Sequence, residues 1–217
     1  INMGGGCDMH IYILLVEDNK IDAGFFEAML DKNDNYILTD ILEDAECAPR
    51  YCGNHRVDLI LMNVQTKHGH SGLIAAEKIK RQQPHIKIII VTSLIAQEIL
   101  DKARQIGVES LWYKDHTKNE IMDVIQQTME GKHFFPDRSP NVKIGEAWSD
   151  ELSDMQKNIL RLYIRGYAYA AIGKKLFIEE RTVKYHMKQM MVKCGFHSKQ
   201  QLIAAAIESK LVVNLEE

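Results

Sequence analysis

Residues 10–19 read HIYILLVEDN, an almost unbroken apolar run that ends in the adjacent carboxylates of Glu17 and Asp18. Val57–Met62 (VDLILM) and Ile86–Val91 (IKIIIV) have the same character. Short runs rich in β-branched residues are typical of strands that helices bury on both faces, as in a parallel sheet. The N-terminal half is therefore predicted to be an α/β domain.

Helical patterns separate these strands, and weaker strand candidates lie at Tyr36–Leu42 and Val108–Tyr113. Two amphipathic stripes mark helices: Ile95, Ile99, Ala103 and Ile106 in one, and Ile121, Val124, Ile125 and Met129 in the other. Strands that are each followed by a helix predict a flavodoxin-like, doubly wound (βα)5 domain over residues 10–130, with right-handed crossovers.

Opposite charge balances divide the 217 residues into two predicted domains. Residues 10–130 carry 13 Lys and Arg against 19 Asp and Glu, whereas residues 152–208 carry 10 against 4. A basic domain behind an acidic one indicates that the C-terminal part meets a polyanion. Residues 131–150 between them are predicted to be a linker because they contain prolines and little periodicity, and Phe134 and Phe135 are expected to dock it onto one domain.

The composition excludes several classes of protein. No stretch of about 18 apolar residues exists to span a bilayer, and the first nine residues lack the basic and apolar segments of a secretory signal. The four cysteines have neither CxxC nor zinc-finger spacing, so reduced thiols are expected. We expect a cytoplasmic protein without a membrane partner.

Polar side chains stand at the ends of the predicted strands. Glu17 and Asp18 follow the first strand, Asn63 the third, Thr92 the fourth and Lys114 the fifth. In a parallel sheet these ends meet at one edge, where ligands bind. Adjacent carboxylates suit a hard cation such as Mg²⁺, and a hydroxyl and a lysine nearby suit the oxygens of a phosphoryl group.

These motifs resemble the receiver domain of bacterial two-component response regulators. The resemblance covers residues 10–130, through ILLVEDN (13–19), DLILMNV (58–64), IIIVTS (88–93) and WYKD (112–115). It implies that Glu17 and Asp18 match the Mg²⁺-binding acidic pair, that Thr92 matches the switch hydroxyl, and that Lys114 matches the lysine that contacts the phosphoryl group.

The chain departs from that family at the phosphorylated position, where Asn63 stands instead of aspartate. A neutral amide cannot be the nucleophile that forms an aspartyl phosphate, and it lowers the charge of any Mg²⁺ site. The following loop lacks the usual Met-Pro, and Leu111 occupies the aromatic switch position, which favours a natural pseudo-receiver (a receiver without a phospho-acceptor) over an engineered Asp→Asn change. We expect a degenerate phosphorylation pocket, no cofactor beyond weakly held Mg²⁺ at Glu17 and Asp18, and little role for a cognate histidine kinase.

Two histidines of that loop, His68 and His70, flank Gly69. Because the sequence shows no defined third ligand, they are expected to be solvated residues and not metal ligands.

From Leu152 onward the pattern is helical. Ser153 and Gln156 have capping-box spacing at the start of a first helix, and a second helix is predicted over Tyr169–Leu176. The buried stripe of the first helix is expected at Met155, Ile159, Leu162 and Tyr163. A third helix is predicted to begin after residues 177–179.

The third predicted helix has two distinct faces. Val183, Met187, Met190 and Cys194 recur at helical spacing and are expected to face the core. The opposite face carries cations, a hydroxyl and an aromatic ring, from Arg181, Thr182, Lys184, Tyr185 and Lys188. Such a helix can enter the major groove of DNA, where lysine reaches guanine acceptors. The alternative is an ordinary solvated face.

This second half, predicted to span residues 151–217, resembles the LuxR-type DNA-binding domain of NarL/FixJ response regulators. TVKYH (182–186) followed by KCGF (193–196) is the most specific part. The resemblance implies DNA contacts by Thr182, Lys184, Tyr185 and Lys188, and by His186 and Lys193 toward the DNA backbone. A last helix is predicted to begin at Ser198. It carries Leu202, Ala205 and 207–211, which are expected either to pack in the core or to form a dimer contact.

The two halves together predict a transcription regulator, not an enzyme. A pseudo-receiver would control a helix-turn-helix (HTH) that binds double-stranded DNA as a homodimer. One alternative is an interaction module that sequesters another regulator through its receiver. Another is an enzyme on the flavodoxin-like fold, which the lack of a Gly-rich phosphate loop after the first strand disfavours.

Overall fold

The computed structural model describes residues 10–114 and 120–212. Within them the chain forms two compact units, one of residues 10–93 and 98–137 and the other of residues 94–97 and 138–212. Cys7, Asp115 and the predicted domain end at residues 213–217 lie outside the described residues.

The first unit is built on a five-stranded parallel sheet in the order β2-β1-β3-β4-β5. The strands are β1 (Ile11–Val16), β2 (Tyr36–Leu42), β3 (Leu59–Asn63), β4 (Lys87–Thr92) and β5 (Ser110–Tyr113). All the predicted strands are present, and the predicted α/β fold is confirmed. The aliphatic side chains of the central strands β1, β3 and β4 are almost entirely buried, whereas the edge strand β2 is half-buried, which explains its weaker sequence signal.

A helix follows each strand of this sheet. They are α1 (Lys20–Leu30), α2 (Ala48–Asn54), α3 (Gly72–Gln82), α4 (Gln97–Ile106) and α5 (Ile121–Met129). The strand order reverses between β1 and β3, because β2 lies on one side of β1 and β3 on the other. The carboxyl ends of β1 and β3 therefore flank the switch point at which doubly wound sheets bind ligands.

The beginning of the predicted linker belongs to the first unit. Phe134 packs against a core cluster that contains Phe26 and Trp112. Its carbonyl accepts a hydrogen bond from the backbone N–H of Leu111 (2.8 Å). Phe134 thereby forms a single parallel bridge alongside β5. The expected docking of Phe134 is confirmed, and the ring of Phe135 lies under the guanidinium of Arg104.

The second unit contains a short hairpin and four helices. The hairpin strands are β6 (Lys143–Ile144) and β7 (Ala147–Trp148). The helices are α6 (Asp154–Ile164), α7 (Tyr169–Leu176), α8 (Glu180–Lys193) and α9 (Lys199–Glu208). The predicted capping box of α6 is present, and α9 also begins with a capping box, formed by Ser198 and Gln201. Among the described residues no helix is long and apolar enough to cross a membrane.

The core of the second unit differs in detail from the expected stripes. On α6, Gln156, Ile159 and Leu160 are buried, whereas Met155, Leu162 and Tyr163 are only half-buried. Of the predicted stripe only Ile159 is fully buried, and α7 and α8, which both pack against α6, leave the other three positions partly exposed. On α9, Leu202 and Ala206 are buried, but Ile207 is 53% exposed and does not join the core.

Candidate functional site

The strand-end residues of the first unit lie together, as the parallel sheet requires. The side-chain amide of Asn63 donates to Glu17 Oε1 (3.0 Å), and Lys114 Nζ lies 2.5 Å from Glu17 Oε2. Thr92 is fully buried at the end of β4, and its carbonyl accepts the backbone N–H of Lys114 (3.0 Å). Three of the predicted residues, Glu17, Asn63 and Lys114, are therefore in contact, and the backbone links Thr92 to Lys114.

Glu17 is a buried carboxylate whose two oxygens are both engaged. Besides Asn63 and Lys114, the backbone N–H of Asn19 donates to Oε1 (3.0 Å). Lys114 Nζ also reaches Asp22 Oδ2 (2.6 Å), so one ammonium group bridges two carboxylates. Sequence reasoning missed Asp22, although its place in the first turn of α1, directly after the acidic pair, was a usable signal.

The other predicted member of the acidic pair, Asp18, is exposed to solvent. Asp18 is exposed at the end of β1, where its charge acts on Lys67. The pKa of Lys67 is raised above its ordinary value, chiefly by the hydrogen bond and charge of Glu43 and to a smaller extent by Asp44 and Asp18. Asp18 therefore differs from Glu17 in its exposure to solvent.

This donor set fits a Mg²⁺ ion poorly. Mg²⁺ needs oxygen ligands in near-octahedral geometry. Both oxygens of Glu17 accept hydrogen bonds, one of them from the ammonium of Lys114, and the amide of Asn63 points its NH₂ group at the carboxylate. A cation would have to displace Lys114 from Glu17.

The corner after Asn63 depends on glycine. A Cβ added at Gly72 would lie 1.8 Å from the carbonyl oxygen of Asn63, and Gly72 N–H donates to the carbonyl of Val64 (2.8 Å). Helix α3 can therefore begin against the end of β3 only because this residue has no side chain.

The second candidate site is the exposed face of α8. Arg181, Lys184, Tyr185 and Lys188 are all exposed, and Thr182 and His186 at its margins are half-buried. The opposite face, formed by Val183, Met187, Met190 and Cys194, is at most 1% exposed, as expected. The four exposed residues recur at i, i+3, i+4 and i+7 and so lie along one side of the helix.

Two cations of this face are paired with acids at the start of α8. Arg181 Nε lies 2.5 Å from Glu179 Oε2, and Lys184 Nζ lies 2.5 Å from Glu180 Oε1. Pairs of such exposed side chains contribute only about 0–1 kcal/mol, so phosphate groups can replace the carboxylates at little cost. Within the described part of the chain, Lys188 has no acidic partner.

Lys193 differs from the other predicted contacts. It lies in the last turn of α8, and its Nζ donates to the carbonyl of Glu151 (2.6 Å). This contact ties the end of α8 to the turn before α6. Lys193 is exposed but is already engaged within its own domain.

The turn between α7 and α8 sets the direction of α8. Phe177 adopts the left-handed conformation (φ 55°, ψ 41°), and the N–H groups of Phe177 and Ile178 both donate to the carbonyl of Gly173. A Cβ at Gly173 would lie 2.6 Å from the carbonyl oxygen of Ile178. The two helices of the HTH therefore cross closely at this glycine.

The hairpin holds the other end of α8. Glu146 N–H donates to the carbonyl of Cys194 (3.0 Å), and a Cβ at Gly145 would lie 2.1 Å from that same oxygen. The hairpin caps the orphan carbonyls at the end of the helix, which otherwise need partners. Sequence reasoning assigned residues 143–148 to the linker because two-residue strands are too short to show alternation.

Comparisons with known proteins agree with this geometry. Residues 13–126 match the family described as "Response regulator receiver domain", and residues 150–206 match "Bacterial regulatory proteins, luxR family". The chain is 24% identical over 213 residues to the oxygen regulatory protein NreC of Staphylococcus carnosus (strain TM300), covering 92% of this chain and 98% of that protein. It is 25% identical over 214 residues to NreC of Staphylococcus aureus (strain JH9), with the same coverage.

Solved structures show the same fold. RcsB from Salmonella enterica serovar Typhimurium, bound to a promoter in the presence of the phosphomimetic BeF3−, has a TM-score of 0.61 at 18% identity and covers 92% of this chain and 98% of that one. A structure of two RcsB dimers bound to two parallel DNAs has a TM-score of 0.60 at 20% identity, with the same coverage. The chain belongs to the NarL/FixJ family of response regulators, in which a receiver domain precedes a luxR-type DNA-binding domain.

Proposed function

We propose that this transcription regulator reads DNA through the exposed face of α8 and that its receiver is controlled without aspartyl phosphorylation. The observation that carries the first part is the shared exposure of Arg181, Lys184, Tyr185 and Lys188 above a fully buried opposite face. Regulation of transcription, not catalysis, is the activity of the family.

The chemistry of the α8 face suits both parts of DNA recognition. Lysine can donate to the O6 and N7 acceptors of guanine in the major groove, and the ring of Tyr185 can contact a thymine methyl group. Arg181 and Thr182 lie near the helix start, where contacts to phosphates set the register on the duplex. Affinity should fall with salt, because each phosphate that is neutralised releases a counterion.

A pair of matched variants tests the DNA interface. Bound sites are first selected from random genomic DNA with the full chain. We expect Lys188→Ala to weaken binding to a selected site by about five- to fiftyfold with unchanged melting temperature. If Lys188 contacts a phosphate, the variant should also have a shallower slope of log affinity against log salt concentration. Lys32→Ala, which removes an equally exposed lysine from the receiver, is the control. Equal affinities of the two variants would refute the interface.

We further propose that the regulator acts as a homodimer on repeated half-sites about one helical turn apart. The relatives support this, since RcsB is described as dimers bound to DNA. We also propose that it works in the cytoplasm, where the chromosome of a bacterium lies. Sedimentation of the chain with and without a two-half-site duplex tests the stoichiometry, and one chain per duplex would contradict it.

The second part of the proposal rests on Asn63 and Lys114. The amide of Asn63 is not a nucleophile, and Lys114, which would contact a phosphoryl group, bridges Glu17 and Asp22. A protein contact, a ligand or the dimer equilibrium would then bias the receiver in place of a kinase. We also propose that Mg²⁺ binds weakly or not at all, because it would have to displace Lys114.

Incubation with acetyl phosphate and Mg²⁺, followed by intact mass measurement, tests this part. No phosphorylated species is expected, and Mg²⁺ should not raise the melting temperature. Asn63→Asp, in which a carboxylate is restored, is the matched comparison for Mg²⁺ binding. A stable phosphoryl adduct on the unsubstituted chain would refute phosphorylation independence.

A further inference from the structure

We propose that Asp44, Glu46 and His70 form a binding site for a divalent transition-metal ion on the receiver. Asp44 and Glu46 lie in the 3₁₀ turn that follows β2, and His70 lies in the loop between Asn63 and α3. One donor atom of each side chain lies within 4.8 Å of the donor atoms of the other two. The sequence expectation of a solvated His70 was therefore incomplete, since the missing ligands come from a distant segment.

The distances are close to those of a metal complex. His70 Nδ1 lies 2.8 Å from Asp44 Oδ1, and Nε2 lies 3.2 Å from Glu46 Oε2. With bonds of about 2.0–2.1 Å, neighbouring ligand atoms of a tetrahedral zinc ion are about 3.4 Å apart. One ring nitrogen of His70 and one oxygen of each carboxylate lie within 4.8 Å of one another, so a single ion can bind all three after small side-chain movements.

A buried threonine organises the two segments before any ion binds. The backbone N–H of Ala45 donates to Thr66 Oγ1 (3.0 Å), and the same hydroxyl donates to the carbonyl of His70 (2.9 Å). Lys67 N–H donates to the carbonyl of Glu43 (3.1 Å), which adds a backbone link between the same segments. Ligands that are already in place lose little conformational entropy on binding.

The donor set indicates the class of ion. One imidazole nitrogen and two carboxylate oxygens suit Zn²⁺, Co²⁺ or Ni²⁺, whereas Mg²⁺ prefers oxygen ligands alone. Glu46 and His70 also line a shallow pocket together with Ser71 and Lys78, from which water could reach a bound ion. Nearby, Lys67 pairs with Glu43, and the ring centroid of His68 lies 6.1 Å from that of His70.

A bound ion would act on the segment that directly follows Asn63. It would join the loop after β3 to the turn after β2 by coordinate bonds and so restrict both. This would give a receiver without a phospho-acceptor a different chemical input at the same edge of the sheet.

Calorimetric titration of the full, EDTA-treated chain with ZnCl₂ tests the site. All proteins carry Cys47→Ser, because that exposed thiol next to Glu46 could bind zinc by itself. We expect one bound ion per chain and a higher melting temperature. His70→Gln should weaken binding about tenfold or more, whereas His85→Gln, which removes an exposed histidine of another loop, should bind as the parent does.

Glu46→Gln gives an independent arm, because its side chain is 65% exposed and the substitution does not threaten folding. It should also weaken zinc binding, and Co²⁺ added to the parent should give the visible absorption of a low-symmetry complex that both variants lose. Zinc affinity and thermal stabilisation that persist in His70→Gln and Glu46→Gln would overturn the proposal, as would absence of binding to the parent.

Discussion

Replacement of Lys114 by methionine removes the cation that faces the fully buried carboxylate of Glu17. The two charged atoms lie 2.5 Å apart, and the side chain of Glu17 is 0% exposed while that of Lys114 is 10% exposed. Removal of one partner of such a pair leaves a buried charge without compensation, which costs about 3–5 kcal/mol. Glu17 keeps its hydrogen bonds from Asn63 and Asn19, so we expect the lower end, about 3 kcal/mol of unfolding free energy.

The receiver should then melt at a temperature lower by on the order of 10 °C. Urea unfolding followed by tryptophan fluorescence measures the loss. Trp112 is buried in the first unit, and a Trp148→Phe background removes the signal of the second unit. Asp22 also loses Lys114, but solvent screens this partly exposed carboxylate.

A second substitution separates buried charge from lost packing. In the Glu17→Gln, Lys114→Met double variant the buried carboxylate is replaced by a neutral amide and only the partly exposed Asp22 stays charged, so we expect recovery of at least about 2 kcal/mol relative to Lys114→Met. Lys32→Met, which removes an exposed lysine, should change stability by less than about 0.5 kcal/mol. A Lys114→Met variant that loses under about 1 kcal/mol, or a double variant less stable than the single one, would refute this account of the pocket.

The remaining predictions concern backbone and thiol chemistry. Gly173→Ala should destabilise the second unit by about 1–3 kcal/mol and weaken DNA binding, because the added methyl group overlaps the turn before α8; urea unfolding and gel shift measure both. Gly24→Ala on α1, where a Cβ meets nothing within 4 Å, should stabilise the receiver by about 0.5–1 kcal/mol. Phe177→Asn should raise the melting temperature of the second unit, since this 94% exposed ring contributes little packing and asparagine tolerates its left-handed backbone better. Burial raises the pKa of the Cys52 thiol to about 11, so this thiol stays protonated at pH 8. Iodoacetamide should therefore label the exposed Cys47 at pH 8 but not Cys52, and peptide mapping measures the labelling of each residue. The labelling of Cys52 should rise only as the pH approaches 11.

The local sequence pattern was sufficient to predict an element and its burial where these depend mainly on the residues of that same segment. The strands around Ile60 and Ile89 are buried on both faces and therefore read as continuous aliphatic runs. The exposed face of α8 was also predictable, because a helix that buries one side exposes the residues on its opposite side. Edge strand β2 and the stripe of α6 were less certain, since neighbouring elements decide how much of each is covered.

The amino-acid pattern predicts two domains, the order of their elements, the strand ends that carry Glu17, Asn63, Thr92 and Lys114, and the exposed basic face of α8, because periodicity and capping are local. The partners of these residues follow from the fold and not from any local pattern. In the fold, Asp22 contacts Lys114, the hairpin at Glu146 caps α8, and His70 contacts Asp44 and Glu46. Each of these contacts joins segments that are far apart along the chain, so no local pattern predicts it. Such contacts depend on how the chain returns across the sheet or the helix bundle, and packing sets that path.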